Sequence, residues 1–470
     1  MYKRLFLFFV LILVLISGWQ PVQAQSEGPI YIVQSGDTMG SVAARFGISI
    51  DQLVQANPSV DPNLMPIGTE LIIPGLEGVS GVLTSKTIEI GESFYPLSQE
   101  YRISPVQLAR INRITSPAEA YAGFALVIPE PEAEKPDLLP IHFSTRQSSL
   151  ELAVLSNTNP WVLNTQGNKP GWSILPGETV YIPANETNVA APASSLIKNL
   201  VISPLPLVQG ETAEIRVQAS QSVQLTGMLN GRELHFFPTE ENSYVAIQGI
   251  HAMADPGLVE FSLQVTTDSG ENWGFDQWVI LEAGYYTTNT RLIVDPATID
   301  YENTQPEDEL IKGFITPATE TRYWDGLFLS PVDVPANYYL DPDCITDRFG
   351  NRRAYNDGPF DYYHTGLDLS ACGNTLNIYA VAPGVVVFSG PLTVRGTYTL
   401  IDHGWGIYSG YGHQSESYVK EGDIVEAGQL IGLIGNTGRV TGPHLHWEVW
   451  ANGVQVQPLD WLAQSYPSTR

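Results

Sequence analysis

"GPHLHWEVW" occupies residues 442–450 and places two histidines two positions apart, at the head of an alternation of bulky apolar and polar side chains. On a strand, side chains at i and i+2 leave the same face, so His444 and His446 are expected to point into one shared space. A metal site, an acid–base pair and coincidence are all compatible with this stretch alone. The neighbouring histidines separate these readings.

Of the chain's eight histidines, five lie beyond residue 360. "YYHTGLDLS" (362–370) supplies His364 and Asp368, and "DHGWGIYSGYGHQSE" (402–416) supplies His403 and His413. The apolar runs "IYAVAPGVVVFSG" (378–390), "TYTLIDHG" (397–404) and "LIGLIG" (430–435) alternate with glycine-rich turns, so the surroundings are expected to be β. Zinc favours imidazole nitrogen and carboxylate oxygen, and a catalytic zinc site uses three protein ligands and keeps one position for water. His364, Asp368 and one of the paired histidines would complete such a set, and the ion would bring the pKa of its water down to about 7. Two further histidines beside that water could take its proton and steady a developing oxyanion. Without the H-x-H, His364 and Asp368 would read equally well as a surface hydrogen-bonded pair; with it, the metal reading prevails.

From "TDRFGNRR" (346–353) to "PLDWL" (458–462) the chain resembles the lysostaphin-type peptidoglycan metalloendopeptidase domain. The matching stretches include "HTGLDL", "APGVVVFSG", "IDHGWGIYSGYGH", "GPHLHWEV" and "NGVQVQPLDWL". Carried over residue by residue, the resemblance implies His364, Asp368 and His446 as zinc ligands and His413 and His444 as the catalytic histidines. His403 is expected to brace its turn. Glu448 shares the face of His444 and His446 by strand parity, either hydrogen-bonding a ligand or standing solvated on the strand.

At 470 residues the chain is too long for one core. Charged residues make up only 16%, yet the formal net charge is −27, which argues against nucleic acid as a partner. Residues 1–24, "MYKRLFLFFVLILVLISGWQPVQA", carry Lys3 and Arg4, an apolar run from Leu5 to Ile16, and small side chains at Val22 and Ala24. This pattern is expected to be a secretory signal cleaved after Ala24, with an uncleaved anchor as the alternative, and the mature protein is expected to be exported and off the membrane. Outside the cell Cys344 and Cys372 can form a disulfide; two buried free thiols are the alternative, and zinc ligation lacks a second close-spaced cysteine pair.

"PIGTELIIP" (66–74), "YAGFALVIP" (121–129) and "LPGETVYIP" (175–183) each close a unit of about fifty residues. In the first unit Tyr31–Val33 reads as a strand. Asp37 or Thr38 would cap a helix with Met39, Val42, Ala43 and Phe46 on its apolar face. A turn at Gly47 leads to a second helix ended by Asn57-Pro58. With "YIVQSGDT", "VAARFG", "LVQAN" and "GTELIIP", residues 29–75 resemble a lysin-motif domain, which implies binding to N-acetylglucosamine-containing glycans. Residues 86–130 keep "IEIGES" and "QLARIN", and residues 138–184 keep "SSLELAVLSNTNPWVL"; both are lysin-motif-like but degenerate, as glycan binders or as spacers.

After a linker at "AAPASS", residues 197–282 alternate apolar and polar side chains between turn signals, predicting an immunoglobulin-like β-sandwich. Residues 283–330 read as a bridge with a short helix in "PEDELIKGFI", and the resemblance implies that residues 331–470 are the metallopeptidase domain. The predicted fold is therefore multidomain and mainly β: small α+β lysin-motif-like modules, the sandwich as a spacer, and a C-terminal antiparallel β domain. The expected function is a secreted zinc-dependent peptidoglycan endopeptidase held on glycan by its N-terminal modules. The rivals are a non-catalytic wall-binding activator of another hydrolase and a zinc peptidase acting on proteins generally.

Overall fold

The computed structural model describes residues 28–76, 79, 81–101, 103–130, 138–142, 179–183, 196–289, 291–333, 344–371 and 375–468. The leader expected at residues 1–24, most of the third repeat and Cys372 lie outside them. Among the described residues no helix is long and apolar enough to cross a membrane. The chain divides into two units, and most of the first two repeats makes up one of them.

The first repeat runs β1 (Ile30–Ile32), α1 (Met39–Phe46), α2 (Ile50–Ala56) and β2 (Glu70–Ile72), with β1 and β2 antiparallel. Thr38 caps α1: its side chain accepts from the Ser41 N–H while the Ser41 hydroxyl accepts from the Thr38 N–H. Asp37 instead accepts from the Tyr31 hydroxyl at 2.6 Å. Met39, Val42, Ala43 and Phe46 are the buried face of α1, and Gly47 closes it at φ 68°. The second repeat has the same order: β3 (Val82–Thr87), α3 (Phe94–Glu100), α4 (Pro105–Asn112) and β4 (Ala125–Pro129). One device recurs in both. The Asn57 amide donates to the carbonyls of Leu53 and Ile72 and accepts from the Ile72 N–H. Asn112 does the same to Leu108 and Val127. Each asparagine thereby ties the end of the second helix to the closing strand. Of the third repeat, the described part is an antiparallel pair, β5 (Leu138–His142) with β6 (Thr179–Pro183).

The second unit contains the sandwich and everything after it. The sandwich strands are β7 (Ile197–Ser203), β8 (Leu207–Val208), β9 (Thr212–Ala219), β10 (Val223–Leu229), β11 (Arg232–Glu233), β12 (Phe237–Glu240), β13 (Ser243–Gly249), β14 (Gly257–Thr267) and β15 (Asn272–Glu282). They form two sheets, ordered β11-β10-β14-β15-β8 and β12-β13-β9-β7. Along β14 the buried residues Val259, Phe261, Leu263, Val265 and Thr267 alternate with more exposed ones, the period of a strand with one face in the core.

The sandwich is not a detached spacer. Phe237, Val245 and Ile247 belong to the same buried cluster as Leu367, Trp447 and Val449 of the C-terminal sheet. Phe237 stacks on Trp405 with centroids 4.9 Å apart, and the Trp461 indole donates to Thr212 Oγ1 at 3.2 Å. A Cβ at Gly249 would lie 2.7 Å from Val456 Cγ1, so only glycine permits this approach. The segment expected as a bridge is equally docked. It contains α5 (Tyr301–Ile315), capped by Asp300 and longer than the sequence suggests, whose Ile311 and Ile315 pack with Tyr398, Leu400, Tyr408 and Trp450.

The C-terminal strands are β16 (Ile345–Asp347), β17 (Arg352–Arg353), β18 (Tyr362–Tyr363), β19 (Leu367–Leu369), β20 (Asn377–Tyr379), β21 (Gly384–Leu392), β22 (Gly396–Gly404), β23 (Ile407–Ser417), β24 (Ile424–Val425), β25 (Leu430–Ile434), β26 (Leu445–Ala451) and β27 (Val454–Val456), followed by α6 (Pro458–Ala463). The main sheet is ordered β16-β19-β26-β23-β22-β21-β24, and its described pairings are antiparallel.

On α6, where this domain meets the sandwich, burial together with the Glu211 charge pushes the Asp460 carboxyl up to about 7. Burial also raises Glu211. Tyr286 and Tyr466 also lie within reach of the Asp460 charge. A raised carboxyl binds more protons folded than unfolded, so its favourable contribution is present at low pH and is lost as pH rises towards 7. Asp460→Asn is therefore expected to raise the melting temperature above pH 7, by the equivalent of about 3 kcal/mol, and to leave it unchanged near pH 4. Scanning fluorimetry from pH 4 to 8 checks this; a variant with an unaltered pH dependence would refute it.

Candidate metal centre

His364 follows β18, Asp368 is the central residue of β19, and His446 stands opposite Asp368 in the β19–β26 register. Glycine lets the three converge: a Cβ at Gly366 would meet the Trp447 carbonyl oxygen at 2.4 Å, so only a residue without one can bring His364 under β26. His364 Nε2 lies 2.9 Å from Asp368 Oδ1 and 3.1 Å from His446 Nδ1, and His446 Nδ1 lies 2.7 Å from Asp368 Oδ1. All three side chains are buried.

The proton count among these atoms is informative. His364 Nδ1 faces the Arg348 carbonyl at 2.9 Å, a group that only accepts, so this nitrogen carries the proton and Nε2 has a lone pair. His446 lies between two carboxylates, with Nδ1 2.7 Å from Asp368 Oδ1 and Nε2 3.4 Å from Glu448 Oε1, so a metal ion at Nδ1 would take the place of the proton that Asp368 attracts there while Glu448 holds the one on Nε2. Arg353 Nη2 donates to Asp368 Oδ2 at 3.1 Å, an ion pair that favours the carboxylate form of Asp368. Two imidazole nitrogens and a carboxylate oxygen thus face one another, a donor set that suits a cation. The three donor atoms lie within 4.8 Å of one another and form the group able to hold a metal ion among the described residues.

Two more imidazoles border the trio. His444 Nε2 is 3.6 Å from Asp368 Oδ1, and its Nδ1 gives a proton to the Gly442 carbonyl at 2.7 Å. His413 Nδ1 likewise donates to the Thr437 carbonyl at 2.7 Å. Each therefore keeps Nε2 as an acceptor. The His413 ring is 4.9 Å from that of His444 and 5.7 Å from that of His446. Burial pushes His413 down to about 3, so it is neutral. Its backbone is left-handed at φ 62°, where the β22–β23 register shifts. The resulting bulge turns its side chain towards the trio. His403 stands apart, bonded to the Pro383 carbonyl and Ser409 Oγ at 2.7 Å each, and braces its turn as expected.

Residues 362–458 match the sequence profile of peptidase family M23, and residues 31–74 and 87–129 each match that of the LysM domain. The chain carries an M23 peptidase domain behind two LysM domains. Over 96 residues it is 43% identical to the peptidoglycan DD-endopeptidase ShyA of Vibrio cholerae, covering 20% of this chain and 22% of the relative. Over the same length it is 42% identical to the DD-carboxypeptidase/endopeptidase Mpg of Neisseria meningitidis, with the same coverage. The chain thus spans about a fifth of the length of the curated relatives it matches. Among solved structures, a mutant catalytic domain of the prophage-encoded M23 protein EnpA from Enterococcus faecalis aligns at 29% identity with a TM-score of 0.22, covering 27% of this chain and 93% of that one.

Glu448, which strand parity places beside the histidines of the M23 domain, is completely buried. It accepts hydrogen bonds from Tyr398 at 2.6 Å, Gln455 at 2.7 Å and Arg395 Nε at 3.2 Å. Burial works to raise its carboxyl, but the Arg395 charge and the bonds from His446 and Tyr398 outweigh it and keep Glu448 ionised. The solvated alternative is thereby excluded. Glu448→Gln is expected to weaken the affinity of the centre for a divalent ion by about 10- to 100-fold, measured by chelator competition; an unchanged affinity would deny it any hold on His446.

Other members of this network escape sequence reading. Arg353 reaches Asp368 Oδ2 at 3.1 Å, and Arg395, Tyr398 and Gln455 surround Glu448. None stands beside a histidine of the site in a recognisable motif. Cys344 is disulfide-bonded; Cys372, the chain's only other cysteine, is outside the described residues.

Proposed function

We propose that the protein is an exported peptidoglycan hydrolase, a zinc-dependent endopeptidase that cuts stem-peptide or cross-bridge bonds while its LysM domains hold it on glycan. The observation that carries this reading is the convergence of His364 Nε2, Asp368 Oδ1 and His446 Nδ1, all within 3.1 Å. The relatives named as DD-endopeptidases support the substrate class. Residues 1–24 would serve as the export leader.

His364, Asp368 and His446 would hold the zinc, which when bound polarises the scissile carbonyl and acidifies water. The protein's own part is proton handling. His413 and His444 each present an Nε2 locked as acceptor by a carbonyl on the opposite nitrogen. One can take the proton of the attacking water and deliver it to the leaving amine. The other, once protonated, can steady charge on the carbonyl oxygen. Retention on glycan would raise the local concentration of peptide at this site.

Purified protein tested on defined cross-linked muropeptides, with products read by mass spectrometry, decides the matter. Cleavage lost on chelation and restored by zinc is the expected result. Zinc-loaded protein that releases no new amine, although folded, would refute the reading and favour a binding role.

A further inference from the structure

We infer that Glu307, on helix α5 and outside the residues matching the M23 profile, is a positioning residue for both halves of the metal centre. The inference rests on the functional reading above and adds a residue to it.

Glu307 is almost completely buried, although its helix neighbour Asp308 is largely exposed. Its two carboxylate oxygens are fully engaged with the turn between β21 and β22. Oε2 accepts from the Val394 N–H at 2.7 Å; Oε1 accepts from the Arg395 N–H at 3.2 Å and from Arg395 Nη1 at 2.8 Å. Arg395 then reaches the site by two routes. Through its backbone, the Arg395 carbonyl accepts the His413 N–H at 2.8 Å, at the left-handed residue of the bulge. Through its side chain, Nε and Nη2 donate to Glu448 at 3.2 and 3.4 Å, and Glu448 in turn faces His446 Nε2 at 3.4 Å.

One carboxylate therefore fixes the residue on which a candidate proton carrier and a candidate metal ligand both depend. Charge-assisted hydrogen bonds in a buried setting are strong and directional, which suits them to holding imidazoles in place. The hydrophobic anchor of α5, Ile311 and Ile315 against the sheet, keeps the carboxylate in register. Helix α5 is thus part of the catalytic apparatus.

The test uses the full chain and two readouts, the zinc dissociation constant from chelator competition and kcat and KM on a soluble cross-linked muropeptide dimer. Glu307→Gln, folded by circular dichroism, is expected to bind zinc about tenfold more weakly and to lose about tenfold or more in kcat, with KM unchanged. Glu307→Asp, which keeps the charge on a shorter arm, should lie between this variant and the parent. Glu309→Gln, an exposed carboxylate on the same helix that accepts from Gln305, should match the parent. Folded Glu307 variants within twofold of the parent in both zinc affinity and kcat would overturn the inference. A parent protein that binds zinc yet cuts nothing would refute the proposed function instead, and zinc affinity would still report on Glu307.

Discussion

Replacing His446 with alanine is expected to remove metal binding and peptide hydrolysis together. Its Nδ1 is the donor nearest to Asp368 Oδ1, at 2.7 Å, and one of only three in the set. With two donors left, zinc should fall well below one ion per chain in dialysed protein, measured by mass spectrometry of the metal. The fold should survive, because Asp368 keeps Arg353 as a partner and Glu448 keeps Arg395, Tyr398 and Gln455. His413→Ala provides the contrast. Its side chain is not among the donors, so zinc should remain near parental content while turnover falls by about 10²–10⁴, the usual contribution of a positioned proton carrier. A metal-free His413→Ala would show that the division of labour between the histidines is misdrawn.

A chain cut to residues 283–470 is expected not to fold into a stable, soluble domain. The cut removes Phe237, Val245 and Ile247 from the cluster they share with the C-terminal sheet. It also exposes Trp405, on which Phe237 stacks, and leaves the buried Trp461 indole without Thr212. Each large apolar side chain withdrawn from such a cluster contributes about 1.5–3 kcal/mol, so three together approach the total stability of about 5–15 kcal/mol typical of a domain. Aggregation on size exclusion, or dye binding with loss of near-ultraviolet dichroism, is the expected outcome. A soluble fragment melting cooperatively within a few degrees of the parent would show that the sandwich is a spacer after all. Phe237→Ala in the full chain offers a graded version, with an expected loss of about 3–5 kcal/mol.

Much of the site is legible in the sequence because coordination chemistry restricts residue types severely. The H-x-x-x-D and H-x-H spacings bring His364, Asp368 and one of His444 and His446 forward on donor chemistry, the family resemblance singles out His446, and the helix faces and caps of the first repeat follow from local periodicity. The second repeat lacks the "GDT" signature, yet it contains the same asparagine clasp as the first, Asn112 in the place of Asn57. There the local signal understates a structure that a single side chain maintains.

What local pattern could not determine is contact between residues far apart in the chain. His413 faces the metal trio because a bulge breaks the alternation of β23, and a strand read at period two cannot announce where it slips. Glu307 and Arg395 are 88 residues apart, with β16 to β21 between them, and neither residue type nor spacing marks them as partners. The sandwich has the alternation of an independent domain, but whether its outer face meets water or another sheet depends on shape, as Gly249 against Val456 illustrates. The sequence by itself therefore determined the candidate donor types, the two LysM repeats and the mainly β character, since these depend on chemical type and short-range period. The tertiary structure alone decided which buried charges hold the imidazoles and which surfaces became core, because burial and partnership are properties of the packed chain.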